Sequence, residues 1–177
     1  MSAGKILTQI SFSMGLGLLG FVGVSALLQS GLLGPNKNVI TVNTENELLQ
    51  QAEEDALATL PRFLELAETD PSDWGPISLK IGMRGAEMLE FIWVENIERA
   101  GPGSFRGTLA NDPVELTGLD LGSRVVFDQE QVSDWAVIID GKGYGYYSVR
   151  AFRELVSEEE AAQLTAFLST EPLPPNF

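Results

Sequence analysis

A long uncharged stretch near the N-terminus constrains this chain more than any other feature. Residues 6–36 contain no ionisable side chain, and a lysine borders each end. The part over residues 10–33 is rich in Leu, Val, Phe and Gly. About 20 apolar residues in an α-helix cross a hydrocarbon core of roughly 30 Å. The stretch therefore predicts a single membrane-spanning helix over residues 10–33, within a signal-anchor segment over residues 1–34.

Three interpretations of this segment are open. An uncleaved anchor is favoured, because the apolar run continues past Val24-Ser25-Ala26, a poor signal-peptide cleavage site. Cleavage there would instead make the protein secreted. A buried helix of a soluble domain is disfavoured, because core helices are seldom this long without a charge. For the anchored form, we expect the N-terminus inside and the C-terminal domain on the extracytoplasmic side.

The charge of the chain is concentrated in the part that follows. Asp and Glu number 25 against 11 Lys and Arg, which gives a net charge of −14. All of the acidic residues follow Thr44, with nine of the basic ones, so that part carries −16 (9 − 25). Phosphate binding requires clustered positive charge. This composition therefore argues against a nucleic-acid partner.

The chain contains neither histidine nor cysteine. A Ser-His-Asp triad, a thiol nucleophile, a disulfide framework, a cysteine zinc site and an imidazole-ligated metal or haem are therefore excluded. No cofactor or metal site is predicted, and no residue is assigned a catalytic role.

A linker over residues 35–43 is rich in breakers as far as Asn38 and has a brief extended piece over Val39–Val42, and a strong helix start follows it. Thr44 and Glu47 have the spacing of an N-terminal capping box, and an apolar stripe at steps of three and four predicts a helix, which Pro61 is expected to kink or restart. Alternating patterns between turn residues then predict strands. These strands are Ile77–Met83, Met88–Ile97, Phe105–Leu109, Ser123–Phe127, Trp135–Ile139 and Tyr144–Val149.

Helical patterns return towards the C-terminus. Residues 150–155 have a helical pattern, and Ser157 with Glu160 predicts a second capping box and a final helix, ahead of a Pro-rich tail over residues 171–177. A helix followed by hairpin-linked strands and terminal helices is typical of the α+β class. We expect one domain over residues 44–170, with an amphipathic helix packed on a curved antiparallel sheet or half-open small barrel, and C-terminal helices.

Four short motifs occur in order along the predicted strands. They are Glu90-Phe91-Ile92-Trp93-Val94, Phe105-Arg106-Gly107-Thr108-Leu109-Ala110-Asn111-Asp112-Pro113, Gly122-Ser123-Arg124-Val125-Val126-Phe127 and Val132-Ser133-Asp134-Trp135. Together they resemble bacterial domain-of-unknown-function family 2314, the YegJ-like proteins, over about residues 45–155. The resemblance implies one fold unit and brings no established activity. It also implies two departures, since Phe91 stands where the family commonly has histidine and Ser123 where it often has an acid.

Six residues are candidates either for a shared pocket or for fold-determining positions: Glu90, Trp93, Asn111, Asp134, Trp135 and Arg150. In the pocket interpretation, aromatic walls raise the pKa of a carboxyl group, and Glu90 and Asp134 transfer protons. In the favoured interpretation, the tryptophans belong to the core and the acids bind the backbone at strand ends. A buried Glu90 would need a partner, for which Lys80, Arg106 and Arg150 are candidates.

Three functions are compatible with these observations. The favoured one is a membrane-tethered, extracytoplasmic interaction or ligand-binding domain, held through residues 10–33 and binding a protein partner. The first alternative is a carboxylate-based envelope enzyme that uses Glu90 and Asp134. The second is an acidic protector that binds a basic toxin, with its negative charge steering the association.

Overall fold

The computed structural model of the protein describes residues 5–9, 39–43, 46–69, 73–175 and 177. The expected membrane span over residues 10–33 lies outside the described residues. Among the helices that are described, none combines the length and the apolar character that crossing a membrane requires. The expected α+β class is confirmed, with helices beside an open and mainly antiparallel sheet.

The described residues contain eight strands in one sheet: β1 (Lys5–Gln9), β2 (Val39–Asn43), β3 (Trp74–Arg84), β4 (Leu89–Gly101), β5 (Ser104–Leu109), β6 (Arg124–Asp128), β7 (Val132–Ile139) and β8 (Lys142–Gly145). The strand order is β2-β1-β4-β3-β7-β8. The start of β4 pairs with β1 in parallel, and its remainder pairs with β5, which in turn pairs with β6. The other described pairings are antiparallel, and bulges interrupt β3–β7 and β4–β5.

Three α-helices accompany this sheet in the described part of the chain, α1 (Glu47–Glu68), α2 (Tyr147–Phe152) and α3 (Glu158–Thr165), and a 3₁₀ helix (Gln129–Gln131) joins β6 to β7. The Thr44 capping box is wrong, because Asn46 is the N-cap of α1 and its side chain accepts the Leu48 N–H at 3.0 Å. Helix α1 also continues through Pro61 instead of restarting there. The second capping box is confirmed, since Ser157 and Glu160 bind each other's backbone N–H groups.

The predicted strand over residues 144–149 is wrong in its second half. Strand β8 ends at Gly145, and α2 begins at Tyr147. Between them, Tyr146 adopts a left-handed backbone conformation with φ +53°. This reversal turns the chain from the sheet into the helix, which local periodicity could not show, because the groups that hold it come from β7.

The two faces of the sheet carry separate apolar clusters. One face packs against α1 and is called the α1 face; it includes Leu79, Ile81, Ile92, Val94, Trp135 and Val137. The opposite face carries Trp93, Ala110, Ala136, Tyr146 and Val149. On the α1 face the indole Nε1 of Trp135 donates to the carbonyl of Ala56 at 3.2 Å and to Thr59 Oγ1 at 2.9 Å. The Trp135 ring also stacks on Phe63, with ring centroids 4.3 Å apart.

The C-terminal segment covers the outer edge of β8. The N–H of Gly143 donates to the carbonyl of Phe167 at 2.9 Å, and the N–H of Gly145 donates to that of Pro172 at 2.7 Å. Phe177 stacks parallel to Trp135, with ring centroids 5.7 Å apart. The Pro-rich segment is thus packed on the domain and contributes to its core.

Gly145 provides a test of the close contact between β8 and β7. A Cβ on Gly145 would lie 2.6 Å from the Trp135 ring and would also meet the Trp135 carbonyl, whereas a Cβ on Gly141 meets nothing within 4 Å. Both glycines have positive φ, +72° and +74°. G145A should therefore lower the free energy of unfolding by about 3 kcal/mol, against about 1 kcal/mol for G141A. Urea unfolding checks this, and equal losses in the two variants would contradict the packing described.

Candidate functional site

Asp134 is the most heavily bonded carboxyl group described in this protein. It lies on β7, its side chain is buried, and its Oδ1 accepts the N–H groups of Trp135 at 2.8 Å and Tyr147 at 3.2 Å. Its Oδ2 accepts the N–H of Ser148 at 2.8 Å and the Ser148 hydroxyl at 2.7 Å. Tyr146, the N-cap residue of α2, makes no side-chain cap bond. Asp134 therefore caps α2 from a neighbouring strand, at the positive end of the helix.

Lys80 supplies the positive charge beside this carboxylate. Lys80 lies opposite Asp134 in the β3–β7 register, is only 3% exposed, and donates from Nζ to Ser148 Oγ at 3.2 Å. The Ser148 hydroxyl thus bridges the ammonium group and the carboxylate. Burial lowers the pKa of Lys80 to about 8, while the charge of Asp134 opposes this shift. Burial likewise raises the pKa of Asp134, opposed by Ser148 and Lys80.

Glu90, on β4, is a second buried carboxyl group that binds backbone N–H groups. Its side chain is fully buried on β4 and accepts the N–H of Val114 at 3.0 Å and the N–H of Glu115 at 2.8 Å. The expected cationic partners are therefore wrong. Lys80 binds Ser148, and Arg106 donates to Glu98 at 2.7 Å. Two backbone N–H groups provide the hydrogen bonds that the buried carboxylate needs.

Glu90 and Asp134 point to opposite faces of the sheet. Glu90 is the register partner of Met83, whose side chain packs with the α1-face cluster, whereas Asp134 is the partner of Lys80. Residues 80 and 83 of a strand face opposite sides, because side chains alternate. Carboxyl groups on opposite faces cannot act on one substrate bond. The expected acid–base pair of an envelope enzyme is therefore excluded by geometry.

Asn111 and Trp93 meet directly. Asn111 is buried, and its Oδ1 accepts the N–H of Trp93 at 3.2 Å, while the carbonyl of Trp93 accepts the N–H of Ala110 at 2.9 Å. The Trp93 ring lies 5.5 Å from the Tyr146 ring on the face opposite α1. Trp93, Lys80 and Asp134 form one cross-strand row on that face. The structure therefore brings these three together, but separates them from Glu90 and Trp135.

Arg150 binds carbonyl groups of the chain. Its Nε donates to Gly145 at 2.8 Å and its Nη1 to Ser169 at 2.9 Å, so it joins α2 to β8 and to the C-terminal segment. Burial lowers its pKa. The four polar candidates, Glu90, Asn111, Asp134 and Arg150, thus all bind backbone groups.

Sequence reasoning missed Lys80 and Ser148 as partners of Asp134. One signal was present: Ser78, Lys80 and Gly82 alternate with the apolar Leu79 and Ile81, so a polar side chain on β3 had to lie opposite the α1 face. The β3–β7 register that pairs Lys80 with Asp134 is not encoded locally. Within the described residues no cluster of three potential ligands for a metal ion occurs.

The loop over residues 110–123 contains the two backbone N–H groups that Glu90 binds, and part of this loop is exposed at the surface. Within the loop, the N–H groups of Val114 and Glu115 donate to the buried Glu90 carboxylate, and Asp112 Oδ1 accepts the N–H of Leu121 at 2.8 Å. The loop exposes Val114 and Leu121, each with 54% of its surface accessible. It carries three acidic residues and no basic one. A fixed loop with exposed apolar side chains and an acidic surround is a candidate protein-binding surface.

Glu90 should control the stability of this loop. E90Q replaces one acceptor oxygen with an NH₂ group, so a single oxygen remains to accept the N–H groups of Val114 and Glu115, and the NH₂ group faces one of these N–H groups as donor to donor. We expect a loss of about 1–3 kcal/mol in the free energy of unfolding and faster hydrogen exchange at those two amides. E54Q, on the exposed surface of α1, should change stability by less than about 0.5 kcal/mol. If E90Q and E54Q lowered the free energy of unfolding equally, Glu90 would not stabilise this loop.

Lys80 predicts a dependence of stability on pH. Its folded pKa of about 8 lies below that of an exposed lysine, about 10.4, so above pH 8 the unfolded chain keeps a proton that the folded chain has released. Stability should therefore rise from about pH 8 to about pH 9.5, by about 1 kcal/mol. Because the chain lacks His and Cys, few other side chains titrate there.

The control for this prediction is a second lysine. Urea unfolding of K80M should show no such rise between about pH 8 and about pH 9.5. K142M, altered at an exposed position of β8, should keep it. The same pH slope in K80M as in the unmodified protein would refute the buried-lysine explanation.

Comparison with known proteins places the chain in a family. The family model described as "Uncharacterized protein conserved in bacteria (DUF2314)" matches residues 46–168. The chain is 24% identical to the uncharacterized protein YegJ of Escherichia coli over 78% of its own length and 89% of that protein. It is 32% identical to a putative ankyrin repeat protein of Neisseria meningitidis over 44% of its own length, but this spans only 30% of that protein. No solved structure matches. The chain belongs to the uncharacterised bacterial family DUF2314, as its four motifs indicated.

Proposed function

We propose that this protein is a membrane-tethered interaction module that binds a protein partner through its 110–123 loop. The observation that carries the proposal is the pair of hydrogen bonds by which Glu90 holds this loop. A fully buried carboxylate is used to fix the backbone at Val114 and Glu115, and the side chains of Val114 and Leu121 are left more than half exposed. Fixing a loop before binding reduces the entropy lost on association.

The charge around the loop defines the chemistry of the partner. Asp112, Glu115 and Asp120 lie in the same loop as the two apolar side chains, and the sequence has no basic residue between Arg106 and Arg124. A complementary surface has an apolar recess with Lys and Arg at its rim. The large negative charge of the domain would steer such a basic partner towards it. A basic toxin is one protein of this class.

The four polar candidate residues support binding in preference to catalysis. Glu90, Asn111, Asp134 and Arg150 all direct hydrogen bonds at the chain's own backbone. The pair that would have performed acid–base chemistry is divided between two faces. The feature left for binding is the surface of the 110–123 loop.

The membrane part of the proposal rests on the uncharged segment over residues 10–33. Gln9 and Val39 are register partners in the β1–β2 pair, so the residues on either side of the segment adjoin. A single crossing would separate its two ends by about 30 Å. The anchored form therefore requires that β1 leave the sheet, and the extracytoplasmic placement of the domain follows from the orientation proposed above.

Site-specific photocrosslinking in intact cells tests the interaction. In the full chain, a crosslinking amino acid at Val114 or Leu121 should give one discrete adduct. The same group at Leu48, an apolar position on α1 that is 46% exposed, should not. The adduct should decrease about fivefold or more between about 0.1 M and about 0.5 M salt. Equal adducts at Leu48, or an adduct indifferent to salt, would overturn the proposed surface.

Cysteine labelling tests the membrane tether and the side of the membrane on which the domain lies. The natural chain has no cysteine, so L48C in the full chain carries the single thiol. A membrane-impermeant maleimide should label it in intact cells, and the protein should sediment with membranes after alkaline washing. Labelling only after lysis would place the domain on the inner side, and release by alkali would refute the anchor.

A further inference from the structure

We propose that two copies of this chain associate by antiparallel pairing of β6 with β6 of the second copy. Strand β6 pairs with β5 on one side, and no other strand in the described part of the chain pairs with its outer side. Val126, at its centre, is 68% exposed, the highest value among the large apolar residues described. An exposed strand edge is a template for adding another strand.

The hydrogen bonds between β5 and β6 leave the backbone groups of alternate β6 residues unused by β5, so these groups face the outer edge. The N–H of Leu109 donates to the carbonyl of Ser123, and the N–H of Gln129 donates to the carbonyl of Gly103. Backbone groups of successive residues point to alternate sides of a strand. Residues 123, 125, 127 and 129 therefore face β5. The N–H and C=O groups of Arg124 and Val126 face the outer edge, as does the carbonyl of Asp128.

The sequence of β6 is complementary to itself in the antiparallel direction. With Val126 on a two-fold axis, Val126 lies opposite Val126 of the second copy. Arg124 then lies opposite Asp128 of the second copy, and this ion pair occurs twice. The three side chains are all exposed on the same side of the strand, while Val125 and Phe127 face inward. Opposite charges that face each other across strands stabilise the pairing.

The register in which the charges match is also the register in which the backbone groups match. The two Val126 residues exchange N–H···O bonds, and the N–H of each Arg124 meets the carbonyl of the opposite Asp128. The N–H of Asp128 is already bound, since it donates to Gln131 Oε1 at 2.9 Å. A shift by two residues would place Val126 opposite a charged side chain. This agreement selects a second copy over an unrelated peptide, and the contact is isologous, as a two-fold dimer requires.

Four variants of the full chain test the dimer by sedimentation equilibrium. V126P removes an outward N–H and leaves the β5 ladder intact, so the folded protein should become monomeric, whereas V126T should still dimerise. R124D places like charges opposite each other twice and should raise the dimer Kd on the order of tenfold or more. Adding D128R to R124D restores the opposite pairs and should recover the Kd.

A disulfide locates the two-fold axis directly. Facing residues in a hydrogen-bonded antiparallel pair have Cα atoms about 5.5 Å apart, within disulfide range. Oxidation of V126C should therefore give a covalent dimer, and L48C should not. A monomer at all concentrations, a dimer unaffected by V126P, or a charge-swapped double variant as weak as R124D would overturn the proposal. Because these readouts do not involve the 110–123 loop, they are independent of the proposed partner.

Discussion

The buried carboxylate of Asp134 is the constraint on which the arrangement of this domain depends. A charge removed from water requires donors on nearly every lone pair, and Asp134 receives them from its own strand and from the start of α2. Those bonds fix where α2 begins, and Lys80 on β3 supplies the compensating charge. The next residue, Trp135, necessarily points to the other face, where it anchors α1. Two adjacent residues thus organise both faces of the sheet.

The four polar candidate residues all act by the same physical means. Each supplies hydrogen bonds to backbone groups that lie outside regular ladders: Asp134 at a helix start, Glu90 in a loop, Asn111 beside β4, and Arg150 at the C-terminal segment. Buried backbone groups left without partners are costly. These residues therefore supply partners to the backbone groups of an irregular chain path.

The regular elements could be predicted from the sequence, because their signals are local. The alternation in β3 to β7, the apolar stripe of α1, and the Ser157 capping box all follow from neighbouring residues. The Asp140-Gly141 hairpin is of the same kind, with φ +50° and +74° at the two residues. The predictions that were wrong depend on distant groups. A strand continuing through Tyr147 fitted the local pattern, but a carboxylate thirteen residues earlier caps a helix there.

In the candidate site, too, the contacts between residues distant in the sequence could not be predicted. For Glu90 and Asp134 the sequence left two interpretations open, a shared pocket or hydrogen bonds to the backbone at strand ends. Their partners did not follow, since the Glu90 contacts lie 24 and 25 residues away and the Lys80 contact depends on the β3–β7 register. Charge complementarity suggested arginine or lysine for Glu90, whereas the loop offered two N–H groups.

The place of β1 in the sheet has a consequence for the order of events during synthesis. Lys5–Gln9 pairs in parallel with the start of β4, a strand that the ribosome makes much later. When the uncharged residues 10–33 emerge, the strand that would hold β1 does not yet exist. β2, the antiparallel neighbour of β1, is complete at Asn43, whereas the parallel contact with β4 has to wait until residues 89–91 have been made. The N-terminal pair of strands can thus join the rest of the sheet only after β4 has been synthesised.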